Sequence, residues 1–209
     1  MGADTYRLAV AAAEWTGRGL TDDQLEAMAT LHGVLAKEAI VAGGLGPHEA
    51  PRLWGRHIAD SLLFGVALDG AVSCIDVGSG VGLPGVPLAI AYPEIEFELV
   101  DRSGRRCDLI RRIIAVLRLG NCAVVHKDVS SVDKNYDALV SRASLPPDRL
   151  MIHVKRLLRK PGVAVIGLSR NADQPVEVPV SEPGLRSHLV RVPTDVLDSS
   201  INLLRIEAT

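Results

Sequence analysis

The 209-residue sequence is poor in cysteine and in aromatic residues. Its three cysteines, Cys74, Cys107 and Cys122, form no CxxC pair, which argues against a metal site and favours reduced thiols in the core. Aromatic residues make up 3% of the chain, which disfavours a platform that stacks bases. No apolar run approaches the roughly 20 residues of a membrane helix, and the N-terminus lacks the pattern of a signal peptide. We therefore expect a cytoplasmic protein with no metal and no membrane attachment.

A strong charge of either sign is also missing, because the formal net charge is -2 at pH 7. This balance neither demands nor excludes a nucleic-acid partner, but it removes the simple argument from a globally basic surface. Apolar residues are plentiful, at 47% of the chain, and charged residues make up 23%. The composition excludes disordered and collagen-like classes and predicts a globular protein with a substantial core.

The first third of the chain is predicted to be helical. Thr21 and Gln24 match the capping-box pattern, and apolar residues follow them at helical spacing. A second helical stretch is predicted over about residues 52–68. We interpret residues 1–70 as a helical extension and residues 71–209 as the main domain, with the two forming one compact unit.

Short apolar runs alternate with helical patterns from residue 71 onwards. Such alternation is typical of a parallel sheet with helices on both faces. Three segments near the end, residues 176–180, 186–192 and 201–206, have strand patterns with no helix between them. They are predicted to pair antiparallel at one edge, so the expected fold class is α/β.

The most informative stretch is residues 76–85, DVGSGVGLPG, which lie between a predicted strand and a predicted helix. Gly78, Gly80 and Gly82 allow a tight turn and the close approach of a ligand, because no Cβ intervenes. In open α/β sheets ligands bind outside the carboxyl ends of the strands, where this loop must lie. The loop is therefore predicted to bind a nucleotide-type cofactor.

Two cofactors fit this loop, and a purely structural glycine loop is a third interpretation. Gly80, Gly82 and Gly85 match the dinucleotide fingerprint, but Pro84 removes an amide that a pyrophosphate would use. In the other frame, Asp76 places a carboxylate just before the loop. This carboxylate suits the ammonium and sulfonium groups of S-adenosylmethionine and would repel a pyrophosphate, so the residues favour S-adenosylmethionine over NAD.

Asp101 ends the next predicted strand, 21 residues beyond Gly80. An acid at this place can accept hydrogen bonds from both ribose hydroxyls of an adenosine-bearing cofactor. The alternative is a capping role for the following helix, which Ser103 could also fulfil. We favour the cofactor role for Asp101.

Residues 76–89 (DVGSGVGLPGVPLA) and the upstream residues 56–62 (RHIADSL) resemble the RsmG/GidB family. Its members are bacterial enzymes that methylate guanine N7 in small-subunit (16S) ribosomal RNA. Residues 101–106 (DRSGRR) and 140–143 (VSRA) are also similar, and the resemblance covers about residues 25–168. It implies a Rossmann-like, class I S-adenosylmethionine-dependent methyltransferase with a seven-stranded, mostly parallel sheet. Ribosomal RNA or the small ribosomal subunit is the implied partner.

The loop argument and the resemblance together assign roles to particular residues. The predicted cofactor residues are Asp76, Gly78, Ser79, Gly80, Gly82, Leu83, Asp101, Arg102, Val129, Ser130 and Arg142. Arg142 and His57 are the predicted catalytic residues. The predicted substrate contacts are Arg56, His57, Asp60, Arg105 and Arg106.

The implied chemistry needs little from these side chains beyond positioning. Guanine N7 carries a lone pair and loses no proton, so methyl transfer to it requires no general base. Asp60 is a candidate to stabilise the cationic product. His57 could instead be structural, Arg142 could form a surface ion pair, and the arginines near Arg105 could form a solvated face.

Three departures from the family pattern leave the acceptor open. Ser130 and Ser131 stand in place of glutamates, residues 168–170 replace Leu-Lys-Gly, and residues 46–49 occupy the region where Asn-Leu-Thr is common. One alternative is a related enzyme that methylates a small nitrogen heterocycle in a biosynthetic pathway. Another is a non-catalytic RNA-binding module that retains the loop as scaffold.

Overall fold

Helices precede the sheet in the computed structural model, which describes residues 3–46, 48–142, 144–168 and 183–209. The first two are α1 (Ala3–Trp15) and α2 (Asp22–Glu38). The predicted capping box at the start of α2 is confirmed, because the Thr21 side chain accepts from Gln24 N and the Gln24 side chain accepts from Thr21 N. The buried face of α2 consists of Met28, Leu31 and Leu35.

The segment before the first strand is helical, which confirms the helical stretch predicted over residues 52–68, but it is not one regular α-helix. The segment comprises a 3₁₀ turn (Ala50–Arg52), a π-helical stretch (Leu53–Ala59), α3 (Asp60–Leu62) and a second 3₁₀ turn (Leu63–Ala67). Gly55 and Gly65 lower the helix propensity. Gly65 also packs so closely that a Cβ would lie 2.4 Å from the Tyr92 hydroxyl, so tertiary packing decides the geometry here.

The described residues form one seven-stranded sheet. Its strands are β1 (Ser73–Val77), β2 (Glu96–Asp101), β3 (Cys122–His126), β4 (Tyr136–Arg142), β5 (Leu158–Gly167), β6 (Leu185–Val192) and β7 (Ile201–Ala208). The connecting helices are α4 (Gly85–Ala91), α5 (Gly104–Leu117) and α6 (Pro147–Leu157). The strand order is β3-β2-β1-β4-β5-β7-β6, and β1 to β5 are parallel. The predicted α/β class and mostly parallel sheet are confirmed.

The last two strands give the sheet an antiparallel edge. β7 pairs antiparallel with β5 and with β6, as predicted for the end of the chain. The expectation that no helix intervenes is wrong, because α7 (Thr194–Leu197) lies between β6 and β7 and buries Val196 and Leu197. A helix of four residues is too short to carry a helical periodicity. The predicted strand at residues 176–180 lies outside the described residues.

Two apolar layers cover the sheet, one on each face. Successive strand residues point to opposite faces, so Ile75 and Val77 pack with α6 while Cys74 belongs to the layer built by the N-terminal helices, α4 and α5. The three cysteines carry free thiols, and Cys74 and Cys107 are buried, in agreement with their interpretation as core residues. No helix among the described residues is long and apolar enough to cross a membrane.

The strand order reverses direction at β1, which pairs with β2 on one side and β4 on the other. The chain therefore leaves β1 and β4 towards opposite sides of the sheet, and a crevice opens between the two connections. Ligands of open α/β sheets bind at this position, outside the carboxyl ends of the strands.

Candidate active site

A cavity of about 1030 Å³ lies at this crevice. Its wall includes Val77 and Val100 near the carboxyl ends of β1 and β2, and Arg142 at the end of β4. It reaches Gly167, the last residue of β5, on the other side. The cavity is large enough for a drug-sized or nucleoside-sized ligand.

The glycine loop forms one wall of the cavity and is held by backbone hydrogen bonds. Gly78 N and Ser79 N both donate to Val100 O, at 2.9 and 3.0 Å. Gly80 has a φ of +61°, and a Cβ on this residue would meet no atom within 4 Å. The loop therefore presents bare backbone to the cavity at Gly80, which is the arrangement its sequence predicted. Leu83 also lines the cavity.

Asp101 is fixed beside the loop. Its Oδ2 accepts from Gly80 N at 2.9 Å and its Oδ1 accepts from Ser103 N at 2.8 Å. The carboxylate is 5% exposed and lines the cavity. Ser103 occupies the capping position of α5, but its side chain makes no capping hydrogen bond. Asp101 therefore orders the turn into α5 and also faces the cavity, so the two roles considered from the sequence are compatible.

Of the predicted cofactor residues in the loop, Asp76 and Gly82 do not line the cavity. Asp76 is fully buried beneath the loop, where its Oδ2 accepts from Gly85 N at 2.8 Å. Its Oδ1 has no hydrogen-bond donor among the described residues. Burial raises the pKa of this carboxyl to about 7, against an ordinary value of 3.8. The geometry thus gives Asp76 the task of holding the loop against α4.

Replacing Asp76 by asparagine is expected to stabilise the protein at alkaline pH. Between pH 3.8 and about 7 the folded state keeps a proton on Asp76 that the unfolded chain has released, so stability falls as the pH rises through this window. Asparagine can accept from Gly85 N without carrying a charge. We expect Asp76→Asn to raise the free energy of unfolding by about 2–4 kcal/mol at pH 8 and to change it little at pH 4. Urea unfolding at several pH values measures both effects.

Asp137 supplies a control with the opposite sign. Burial raises its pKa, but hydrogen bonds from Ser73 and Arg159 outweigh burial and leave the pKa lowered. Asp137→Asn should therefore lower the stability at pH 8. Equal losses of unfolding free energy in both variants at pH 8 would show that the charged form of Asp76 stabilises the fold. That result would contradict a raised pKa for Asp76.

The opposite wall is built by the irregular helical segment and the end of β4. His57 and Asp60 are 8% and 6% exposed, and both line the cavity with Arg142. Arg142 Nη1 lies 3.5 Å from Asp60 Oδ2 and donates to Arg56 O at 3.3 Å. The structure therefore brings the predicted pair Arg142 and His57 together with Asp60. The Asp60 carboxylate already has a guanidinium partner, which reduces the charge it could offer to a cationic product.

His57 has a partner on each ring nitrogen. Arg142 Nη2 lies 3.3 Å from Nδ1, and an arginine can only donate, so Nδ1 accepts. Nε2 then carries the proton and donates to Glu49 Oε2 at 2.8 Å. Burial lowers the pKa of His57, and Arg142 lowers it further, while Glu49 raises it. His57 is therefore a neutral imidazole that links Glu49 to Arg142, and neither nitrogen is available to accept a proton from a substrate.

The remaining predicted residues divide between the cavity wall and the surface. Arg102, Arg106 and Val129 line the cavity, whereas Ser130 and Arg105 do not. Arg106 Nη2 donates to Gly43 O at 2.9 Å and Nη1 lies 3.7 Å from Asp101 Oδ2, so this guanidinium connects the loop after α2 with the cavity.

Sequence reasoning missed several residues of the site. Glu49 was noted only as part of a departure from the family pattern, although it is the partner of His57. Ser144, Lys127 and Arg149 also line the cavity. Lys127 directly follows β3, so its position after a strand could have been used to find it. His57 lies in the π-helical stretch, and its pairing with Glu49 has no local signal in the sequence.

Two solved structures have a similar fold. A mutant of MtNAS gives a TM-score of 0.59 at 18% identity, over 90% of this chain and 75% of that one. An O-methyltransferase from a trans-AT PKS multienzyme of Brevibacillus brevis, in complex with S-adenosyl-L-homocysteine, gives 0.53 at 15% identity over 74% of this chain and 72% of that one. At these identities the likeness concerns the fold alone. The chain thus has a Rossmann-like α/β fold.

The sequence comparisons identify the family. Residues 24–175 match the profile of the GidB family, described as rRNA small subunit methyltransferase G, and the chain belongs to this family. The resemblance noted in the sequence is thereby confirmed.

Curated relatives carry the name "Ribosomal RNA small subunit methyltransferase G". The relative from Corynebacterium efficiens is 39% identical over 63% of this chain and 59% of its own length. The one from Corynebacterium glutamicum (strain ATCC 13032) is 34% identical over 74% of this chain and 72% of its own length. The one from Mycobacterium leprae (strain TN) is 39% identical over 65% of this chain and 56% of its own length. The match thus spans between 56% and 72% of the length of these relatives.

Proposed function

We propose that the protein is an S-adenosylmethionine-dependent methyltransferase that modifies guanine N7 of small-subunit ribosomal RNA in the cytoplasm. Membership of the GidB family and the names of the curated relatives support this proposal. One structural observation carries it. The bare backbone at Gly80 lies beside the fixed carboxylate of Asp101, and both face the cavity at the place where the strand order reverses direction.

The residues of this wall fit the cofactor. Open space at Gly80 gives an adenosine derivative close access to the backbone, where any side chain would intrude. Asp101, whose carboxylate is oriented by Gly80 N and Ser103 N, would accept hydrogen bonds from ribose hydroxyls. Leu83 and Val129 line the same cavity and would contact apolar parts of the ligand. When bound, S-adenosylmethionine supplies an electrophilic methyl group on a sulfonium centre.

The opposite wall would position the acceptor rather than move protons. Guanine N7 needs no general base, and His57 has both ring nitrogens occupied by Glu49 and Arg142. The guanidinium of Arg142 is 18% exposed at the cavity, held by Asp60 on one side and His57 on the other. A side chain held in this way can orient a base or a phosphate with little loss of entropy. Catalysis in this site therefore depends on orientation of the acceptor.

Nucleoside analysis of a methylation assay tests the proposal. Small-subunit ribosomal RNA and intact small subunits are taken from a strain that lacks the gene and are incubated with the protein and labelled S-adenosylmethionine. We expect label in 7-methylguanosine from at least one of these substrates. Label only in small nitrogen heterocycles supplied in parallel would replace the ribosomal substrate by the small-molecule alternative. Binding of RNA with no methylation of any substrate would favour a non-catalytic module.

A further inference from the structure

Three cationic side chains lie at the mouth of the cavity, and we call Arg102, Lys127 and Arg149 the cationic rim. All three are exposed and line the cavity. Arg102 follows β2 and Lys127 follows β3, and the register pairs Asp101 with His126, so these two cations stand at neighbouring positions. Arg149 lies in the first turn of α6, beyond β4. Among the described residues, none of the three side chains makes an ion pair or a hydrogen bond.

The other cations of the cavity wall differ, because each has a partner. Arg56 lies 3.7 Å from Glu49, Arg106 contacts Gly43 O and Asp101, and Arg142 contacts Asp60. Like charges at neighbouring positions of a sheet repel each other unless an anion lies between them. Among the described residues, the cavity cations that make no hydrogen bond or ion pair therefore lie at the entrance, where an outside anion can reach them.

The acidic residues near the rim neutralise it only in part. Hydrogen bonds from Ser130 lower the pKa of Asp128, and the charge of Arg102 lowers it further, so this carboxylate interacts with one rim cation. Asp128 lines the cavity, but its Oδ1 accepts from Ser130 N at 2.9 Å and from Ser130 Oγ at 2.7 Å. Asp101 is buried and holds backbone amides. Among the described residues, the wall carries six Arg or Lys side chains and three Asp side chains, whereas the whole chain has a formal net charge of -2. The positive charge is therefore concentrated at the cavity.

We propose that the cationic rim binds phosphates of the RNA strand that delivers the acceptor base. The inference rests on the proposed function. The cofactor does not account for the rim, because S-adenosylmethionine itself carries one more positive than negative charge and the surplus cations repel it. A neutral heterocycle does not account for the rim either, because it carries no anionic group that could pair with the cations. A polyanionic strand that crosses the cavity mouth from β3 to α6 would contact Lys127 and Arg149 on opposite sides of the base it inserts.

The salt dependence of RNA binding tests the rim directly. The variant Lys127→Gln/Arg149→Gln removes two rim cations and leaves Arg102, which adjoins Asp101, in place. The matched control is Arg111→Gln/Arg112→Gln on the outer face of α5, where Arg111 is paired with Asp108 and Arg112 with Glu38. Both variants lose the same charge, and thermal unfolding verifies that both are folded. Affinity for protein-free small-subunit ribosomal RNA is measured from about 50 to about 200 mM salt.

Each lost phosphate contact should lower the slope of log affinity against log salt by about 0.7–0.9. Over this range, added salt should therefore weaken the wild type about 7- to 12-fold more than the rim variant, while the control keeps the wild-type slope. Equal slopes for the rim variant and the wild type would contradict phosphate binding by the cationic rim. They would not contradict the proposed function. An equal reduction of the slope in the control would show only a general effect of charge. That result would also contradict phosphate binding by the cationic rim. Absence of wild-type binding would instead count against ribosomal RNA as the substrate.

Discussion

Gly80→Arg is expected to abolish cofactor binding while the protein remains folded. Gly80 lines the cavity, has a φ of +61° and has no atom within 4 Å of the position of a Cβ. An arginine side chain would project into the space that the cofactor needs. We expect the dissociation constant for S-adenosylhomocysteine, measured by calorimetry, to rise at least about a hundredfold, which corresponds to about 2.7 kcal/mol.

Gly17→Arg is the matched control for this substitution. Gly17 has a φ of +79° and equally open surroundings, but it lies after α1 and outside the cavity wall. Both variants therefore carry the backbone strain of a left-handed arginine, about 1–2 kcal/mol, and only Gly80→Arg blocks the cavity. Gly78 is less suitable, because a Cβ there would lie 2.3 Å from Ser144 Cβ and would distort the fold. Near-normal affinity in Gly80→Arg would contradict the placement of the cofactor on this loop.

The elements that the sequence predicted well are those with strong local signals. The capping box at Thr21 needs only residues three positions apart. The alternation of strands and helices from residue 71 gave the parallel sheet, and the glycine loop could be placed because it joins β1 to α4. The position of Asp101 at the end of β2 followed from the same alternation. In each case the evidence lies within one element or at its boundary.

The features that escaped prediction depend on contacts between distant parts of the chain. Glu49 pairs with His57, which lies in the π-helical stretch of residues 53–59, and His57 reaches Arg142 across 85 positions of sequence. Asp76 was expected to face the ligand because it adjoins the loop. Strand alternation instead turns it into the layer beneath α4, away from the cavity wall. The direction of a single side chain at a strand end depends on register and packing, which a local pattern does not specify.

These contacts explain how one wall can hold several charges in a buried position. Glu49, His57, Arg142 and Asp60 form a chain in which the neutral imidazole separates a carboxylate from a guanidinium. A buried charge is tolerated only when it is paired and hydrogen-bonded, so each member of the chain depends on its neighbours. Arg142 occupies the centre, with contacts to both His57 and Asp60.

Arg142→Met is accordingly expected to reduce both stability and activity. The substitution removes the guanidinium from Asp60, which is 6% exposed, and removes the donor to His57 Nδ1. We expect the free energy of unfolding to fall by about 2–3 kcal/mol, somewhat below the cost of breaking a fully buried pair because Arg142 retains some contact with water. Methyl transfer, measured as 7-methylguanosine formed per minute, should fall at least about a hundredfold, since the side chain proposed to orient the acceptor is gone.

The double variant Arg142→Met/Asp60→Asn separates the two effects. Removal of the Asp60 charge eliminates the cost of leaving it without the guanidinium, so we expect most of the lost stability to return. Activity should not return, because asparagine and methionine cannot replace a cation held at the cavity. Recovery of stability and activity together would mean that Arg142 only compensates Asp60. Calorimetry with S-adenosylhomocysteine on the double variant then distinguishes loss of the acceptor site, which leaves cofactor affinity near the wild-type value, from collapse of the whole cavity.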